Sequence, residues 1–393
     1  MNAESAGMSD LPTENPLAGA VKGLRIIDFS QIAAGPLCSM LLADLGAVVI
    51  KVEPPSGDIA RGLGPPFANG ESVLHLSLNR NKRSMVADLK EPDDRDRVMA
   101  LVAEADVVIE GYRPGVAERL GIGFEDVRAI NPDAIYCSIS AFGQRGPWSH
   151  KAGVDGVIQA VSGLMSITGE RDAKPSKVQA PIVDMVTGLQ AAIAILAALA
   201  KRAKGEPVGH IDVNLYASSL ILQQIPITSY LASGELPLRT GSGAPYATPN
   251  EAYATKDGYI LIAAYQKAHW RAFCEAIERP DLADAPEFKE LPHRLQNRQE
   301  LTKQIETALA AHPSQYWLDK LDGLNLTCAP IADYEMVSRS EQIAETGALV
   351  VCNHPRAGPI SMPGLSIGGP SLPVRRSPPL LGEHDDLTQW PAA

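Results

Sequence analysis

The chain has 393 residues, 45% of them apolar and 21% charged, which is the composition of a globular protein with two domains or one large domain carrying an insertion. A formal net charge of −11 with no long basic block argues against general nucleic-acid binding. Five scattered cysteines (Cys38, Cys137, Cys274, Cys328 and Cys352) without a C-x-x-C pair point to neither a zinc ribbon nor a dithiol redox motif, and fit a reducing cytoplasm.

The N-terminal stretch MNAESAGMSDLPTENPLAG is acidic and polar, without the basic and apolar regions of a signal peptide, and reads as a loose tail over residues 1–19. From residue 23 the pattern alternates. LRIIDFS reads as a strand and PLCSMLLADLG as a helix, with Pro36 in its first turn and Gly46 at its end. AVVIKVEP is a strand stopped by Pro54, and SMVADLK is another. PDDRDRVMALVAEA is a helix with acids in its first turn, where the dipole favours them. DVVIEGY and AIYCSISAFG are strands, separated by short helices through GVAERLG and FEDVRAIN. Strands alternating with helices predict βαβ units and a mostly parallel sheet, whose ligands bind at the carboxyl ends of the strands.

QAPIVDMVTGLQAAIAILAALA, residues 179–200, follows. It is too interrupted and Ala-rich for a bilayer span and reads as a buried core helix. Asp184 is the only charge between Lys177 and Lys201. A carboxylate at the head of an apolar run is either an N-cap or a reactive group kept ionised by the helix start. Beyond a basic turn, HIDVNLYASSLILQQI reads as strand into helix, and ASGELPLRTGSGAPYATPN as a loop. GYILIAAY is a strand, residues 267–322 carry charged helices, and CAPIADY is a return strand. The last stretch is too rich in Pro and Gly for helices.

Several motifs are missing. There is no Gly-Lys dipeptide and hence no P-loop, and no H-x-x-x-H pair that would indicate a metal site. GIGFED at residues 121–126 lacks the third glycine of a dinucleotide loop and sits between helices. NRNKRS, residues 79–84, is the densest basic cluster and is either a solvated turn or an anion site.

Six collinear segments resemble one family, the class III CoA-transferases (formyl-CoA transferase and carnitine CoA-transferase type), which also includes α-methylacyl-CoA racemase. They are GLRIIDFSQIAAGPLCSMLLADLGAVVIKVE, LSLNRNKRSMVADLK, VVIEGYRPGVAERLGIGFEDVRAINPDAIYCSISAFGQRGPW, VSGLMSITGE, APIVDMVTG and PPLLGEH. The resemblance implies an α/β fold with a large Rossmann-like domain and a smaller one, in an interlocked homodimer. The expected division is a tail at 1–19, a large CoA-binding domain at 20–228, a small domain at 229–325, and a return segment at 326–393 that completes the large domain.

The resemblance also implies that Asp184 is the nucleophile. It would attack an acyl-CoA to give an aspartyl–acyl anhydride and CoA thiolate, then an aspartyl-CoA thioester, and an incoming carboxylate would reverse these steps. At its reference pKa of about 3.9 the group is ionised at pH 7 unless burial intervenes. No bound cofactor is implied, and the CoA thioester is a substrate. By family position, CoA would be held by Ala33, Ala34, Arg61, Leu78, Asn81, Lys82, Arg83, Gly111, Tyr112, Arg113 and Arg119; its phosphates call for Arg and Lys.

Departures from the family pattern bear on the substrate. The racemases carry His-Asp where this chain has Val154-Asp155, and their proton exchange needs that His. Many transferases have Tyr in place of Val154. The loop GSGAPYATPNEAY has Ala244 for a His and Asn250-Glu251 for Tyr-Gln, and Gly241-Ser242-Gly243 is all that represents a glycine-rich closing segment. Tyr265-Gln266 stands where Gly-Asn is frequent. An acyl-CoA:carboxylate CoA-transferase is the leading reading; an isomerase (racemase or intramolecular transferase) and an inactive CoA binder are the alternatives. The expected acceptor is a small dicarboxylate, with succinyl-CoA as a plausible donor. The 240–251 loop and the Arg375-Arg376 pair would hold the second carboxylate, with Glu251 pointing away or paired with an Arg.

Overall fold

The computed structural model describes residues 14–392. Two compact units are present: residues 14–162, 178–228 and 340–392 form the first, and residues 163–177 and 229–339 the second. Two segments therefore fall outside the expected division. Residues 163–177 pack with the second unit, and the return to the first begins at residue 340.

The first unit is built on a six-stranded sheet. Its strands are β1 (Arg25–Asp28), β2 (Val48–Glu53), β3 (Lys82–Val86), β4 (Val107–Glu110), β5 (Ile135–Ser140) and β6 (Ile211–Asn214). The order is β3-β2-β1-β4-β5-β6 and every pairing is parallel. Numbered by sequence this is 3-2-1-4-5-6, the doubly wound Rossmann order, in which the direction of winding reverses between β1 and β4. The strands β1, β2, β4 and β5 are buried almost throughout, as in a sheet whose two faces are covered by helices. Helices α1 (Ala34–Asp44) and α2 (Pro92–Val102) are crossovers, and α3 (Asp155–Val161) precedes the long α4 (Ile182–Arg202). After β6 come α5 (Leu215–Leu222) and α6 (Gln224–Ser233). Ile27, Ile50, Val52, Met85, Val98, Leu101, Val108 and Tyr136 fill one core layer.

Helix α4 is not fully buried, contrary to its reading as a core helix. Val183, Thr187, Ala191, Ile195 and Ala198 face inward, while Leu189 and Ile193 are 46% and 65% exposed on the other side. Gly188 allows the close approach of α1, since a Cβ there would stand 2.6 Å from the Ala34 carbonyl oxygen.

Residues 1–13 of the expected tail lie outside the described residues. Asn15 is anchored rather than loose, since it is buried and donates to the carbonyls of Ile367 and Pro370 at 2.9 and 2.6 Å, while residues 16–19 are exposed. The Pro- and Gly-rich end contains an unexpected antiparallel hairpin, Leu349–His354 with Gly358–Pro363.

The second unit has an antiparallel sheet of β7 (Asn250–Ala254), β8 (Tyr259–Ala263) and β9 (Thr327–Pro330), in the order β9-β8-β7. Its core joins Tyr253, Ile260 and Ile262 to Trp270, Phe273, Leu301, Ile305 and Trp317 from the covering helices.

Candidate active site

One cavity of about 330 Å³ opens at the carboxyl ends of β1, β4 and β5. It is lined by the Ser30–Gly35 turn, by Gly111 to Pro114, by Ile139 to Ala141, by Lys151 to Val154, and by Asp184. The winding reversal between β1 and β4 creates this crevice, because successive crossovers leave the two strands on opposite sides of the sheet.

Asp184 is the third residue of α4 and not its cap; the preceding Pro181 offers no side-chain acceptor. The cap comes from a different helix. One oxygen of the buried Asp155 carboxylate, on α3, accepts from the Val183 and Asp184 amides at 2.8 and 3.2 Å. Its other oxygen accepts from Gln159 at 2.6 Å. Asp155 thus meets the need for a helix-start acceptor. The carboxylate of Asp184 is left facing the cavity, with no hydrogen bond or ion pair to it among the described residues. Burial, and secondarily the charge of Asp155, push Asp184 up to about 7 from 3.8. Burial does intervene, and it favours the neutral carboxyl well above the usual carboxylate range.

Opposite it, α1 begins at Ala34 without any side-chain cap, and its first residues line the same cavity. The turn leading into it is held by buried charges. Asp28 accepts from the Ser30 amide at 2.9 Å and from the Ser30 hydroxyl. Lys51 donates to the Ser30 carbonyl at 2.6 Å and pairs with Asp58 at 2.8 Å. Asp58 accepts from the Ile32 amide at 3.0 Å. Asp28, Lys51 and Asp58 are all essentially inaccessible to solvent.

The expected CoA residues do not all meet at the cavity. Ala33, Ala34, Gly111, Tyr112 and Arg113 line the cavity, and Arg113 is exposed there. Lys151, which sequence reasoning missed, joins them with its ammonium 4.9 Å from the Trp148 ring. Arg119 is exposed at the end of a short helix, Val116–Arg119, away from the cavity lining. Four others serve the fold. Lys82 is fully buried, donating to Asp28 at 3.2 Å and to Asn79 and the Pro36 carbonyl at 2.8 Å each. Arg61 makes a two-pronged pair with Glu53, both prongs 2.7 Å. Leu78 is buried. Asn81 ties Asp44 to the amides of Arg375 and Arg376. A basic side chain next to a glycine-poor turn reads as solvated in sequence; here neighbouring acids on β1 and β2 draw it inward.

Arg83 differs from these. It is 8% exposed and makes no side-chain hydrogen bond or carboxylate pair among the described residues. Burial, then the positive charges of Arg376 and Arg375, lower it to about 10. Arg375 itself donates to the carbonyls of Ala43 and Ala47 near the end of α1.

In the second unit, Glu251 lies on β7, not in a loop. It accepts from Thr248 at 3.2 Å and the Tyr253 hydroxyl at 3.1 Å, with Arg298 3.9 Å away. The Ser242 hydroxyl accepts from the Ala252 amide at 2.9 Å. Glu170, Arg171, Thr240, Glu251 and Arg298 border a cavity of about 670 Å³ in that unit.

The model of CoA-transferase family III matches residues 21–385. The succinyl-CoA:glutarate CoA-transferase of Mus musculus is 38% identical over 379 residues, 96% of this chain and 86% of that protein. The succinyl-CoA:mesaconate CoA-transferase of Haloarcula marismortui is 36% identical, covering 93% of this chain and 94% of its own. The crystal structure of a CAIB/BAIF family protein from Brucella suis superimposes with a TM-score of 0.84 at 34% identity, over 95% of this chain and 98% of that one. The family match over nearly the whole length, with relatives of this identity and coverage, shows that the chain belongs to CoA-transferase family III.

Proposed function

We propose that the protein transfers CoA from succinyl-CoA to a second dicarboxylate of about the size of glutarate or mesaconate, with Asp184 as the nucleophile. The carrying observation is the Asp184 carboxylate itself. It sits in the switch-point cavity without a partner among the described residues, and Asp155 has taken over the capping role that would otherwise explain it. The relatives' substrates, succinyl-CoA with glutarate or mesaconate, supply the substrate class.

An Asp184 oxygen attacks the thioester carbonyl; the C–S bond breaks, leaving an anhydride and CoA thiolate. The thiolate attacks the aspartyl carbonyl, releasing succinate and forming an aspartyl-CoA thioester. The acceptor carboxylate displaces thiolate from that thioester, and the thiolate returns to the acceptor carbonyl, regenerating Asp184. Each step exchanges one activated acyl bond for another, so no resident cofactor is required. Amide groups at the start of α1 suit the developing oxyanion. Among the described residues no histidine lines the cavity, and Val154 stands at its edge, so the histidine that a two-base α-proton exchange would pair with a carboxylate has no counterpart there. Arg83 and Arg376 carry positive charge without carboxylate partners among the described residues and suit the CoA phosphates, joined by Arg113 and Lys151 at the cavity. This reading leaves out Lys82 and Arg61, whose charges are already matched within the fold.

The active form is proposed to be an interlocked homodimer. Leu189 and Ile193 on α4, Ile221 on α5 and Ile225 on α6 are exposed, and α6 has no buried residue at all. Such apolar faces suit cover by a second copy. A cytoplasmic site is proposed because all five cysteines are unpaired. Incubation with succinyl-CoA and a panel of acids (glutarate, mesaconate, itaconate, oxalate and monoacids of similar length), read by mass spectrometry of the CoA thioesters, tests the function. Diacid thioesters are expected. Equal use of monoacids would overturn the diacid assignment, and transfer by Asp184→Ala at near wild-type rate would overturn the nucleophile.

A further inference from the structure

Ile32 has a φ of 70°, and it is the only β-branched residue among the described non-glycine residues with positive φ. A branched Cβ makes that conformation strained, so something must hold it. The residue stands between Ser30, fixed by Asp28 and Lys51, and Ala33, where the uncapped α1 begins. The Ile32 amide has two acceptor oxygens within reach, both from Asp58, at 3.0 and 3.3 Å. Asp58 is itself fixed. Lys51 pairs with it at 2.8 Å, its amide donates to Glu53 at 2.9 Å, and it accepts from the Ala60 amide at 2.8 Å. Neither Asp58 nor Lys51 lines the cavity, yet Ile32 does.

Space around the turn is equally restricted. A Cβ on Gly35 would meet the Ser30 side chain at 2.2 Å, and one on Gly111 would meet it at 3.2 Å. The Ser30 side chain therefore lies close against Gly35 of α1 and Gly111 after β4, which leaves no room for a side chain at either position. A buried ion pair is costly to maintain and is weak evidence for stability by itself. Its use here is conformational.

We propose that Asp58, charge-matched by Lys51, is a positioning residue for CoA transfer: it holds the Ile32 amide and keeps the β1–α1 turn in its left-handed form, so that the first amides of α1 face the Asp184 cavity. The proposal rests on the reading of that cavity as the transfer site. It assigns a reaction role to two residues outside the cavity lining.

The test removes both charges together, as Lys51→Met with Asp58→Ala, so that neither is stranded in the core. With the fold verified by circular dichroism, kcat should fall about 100-fold, the scale of a displaced reacting geometry, with the acyl-CoA KM changed less than about threefold. The decisive comparison repeats the pair of changes in an Ile32→Gly background. Glycine adopts positive φ without strain. The double change should then cost less than about fivefold relative to Ile32→Gly alone, a coupling that a double-mutant cycle reads directly. A cost that is equal in the two backgrounds, or a double variant within threefold of wild type, overturns the proposal.

Amide hydrogen exchange of the substrate-free protein supplies an arm independent of activity. The Ile32 amide should be strongly protected in the wild type and exchange at least about 30-fold faster in the double variant. Equal protection overturns the proposal even if activity falls. Absence of CoA transfer in the wild type would instead count against the proposed function, and the exchange result would still decide whether Asp58 holds the turn.

Discussion

Asp184→Asn should stabilise the protein, and by an amount that grows with pH. The wild-type carboxyl is pushed from 3.8 to about 7 by burial and by Asp155. The native state therefore binds this proton more tightly than the unfolded chain does. Stability linked to the group is fully present below about pH 4 and is lost as pH rises through about 7. Three units at about 1.4 kcal/mol each set a ceiling of roughly 4 kcal/mol at high pH. Asp184 is only partly enclosed, so solvent screening leaves about half of that. Asparagine has no charge to desolvate and escapes the penalty. Chemical denaturation of the two proteins should show a gap in favour of the variant that widens by about 1–2 kcal/mol between pH 5 and 8.5. Taking the difference between proteins cancels Glu110, another buried carboxyl that burial raises to about 7. A gap that is constant with pH, or that narrows, would refute the repulsion assigned to Asp155 and the cavity.

Three further outcomes follow from the site. The rate at low acyl-CoA should rise with pH through an apparent value near 7 as Asp184 ionises, and a profile flat from pH 5 to 9 would deny that ionisation any role. Arg83→Met should raise the acyl-CoA KM about tenfold while kcat changes less than threefold, because the guanidinium is proposed to grip a part of CoA remote from the reacting carbonyl; an unchanged KM argues for a purely structural residue. Gly188→Ala places a Cβ 2.6 Å from the Ala34 carbonyl oxygen, so α1 and α4 must separate. It should cost about 1–3 kcal/mol in denaturation and lower activity as well, since both helices carry the site; wild-type stability would show that the helix crossing yields freely.

Much of the architecture was readable from pattern. The strands of the parallel sheet are apolar runs such as Val107–Ile109 and Ile135–Ile139, and the helices between them carry recognisable first turns. The identity of the capping group was not readable. Asp155 and the amides it caps lie 28 and 29 residues apart, and no local rule links them. Buried charge was equally hidden: Lys51, Glu53 and Lys82 sit in strands where alternation suggests solvent, but their partners come from β1 and the loop after β2. The basic cluster of residues 79–84 is consequently split between core pairs and the uncompensated Arg83. The apolar character of α4 was plain; that part of it faces outward was not, because an apolar run does not say which of its faces the chain itself covers.

The most direct test of the nucleophile is to trap the intermediate. Wild-type protein incubated with succinyl-CoA in the absence of acceptor should gain the mass of CoA less water. Borohydride should reduce that thioester so that peptide mapping finds homoserine in place of Asp184, and Asp184→Asn should show neither change. An enzyme that transfers CoA but forms no adduct at residue 184, or forms it on another residue, would contradict the account.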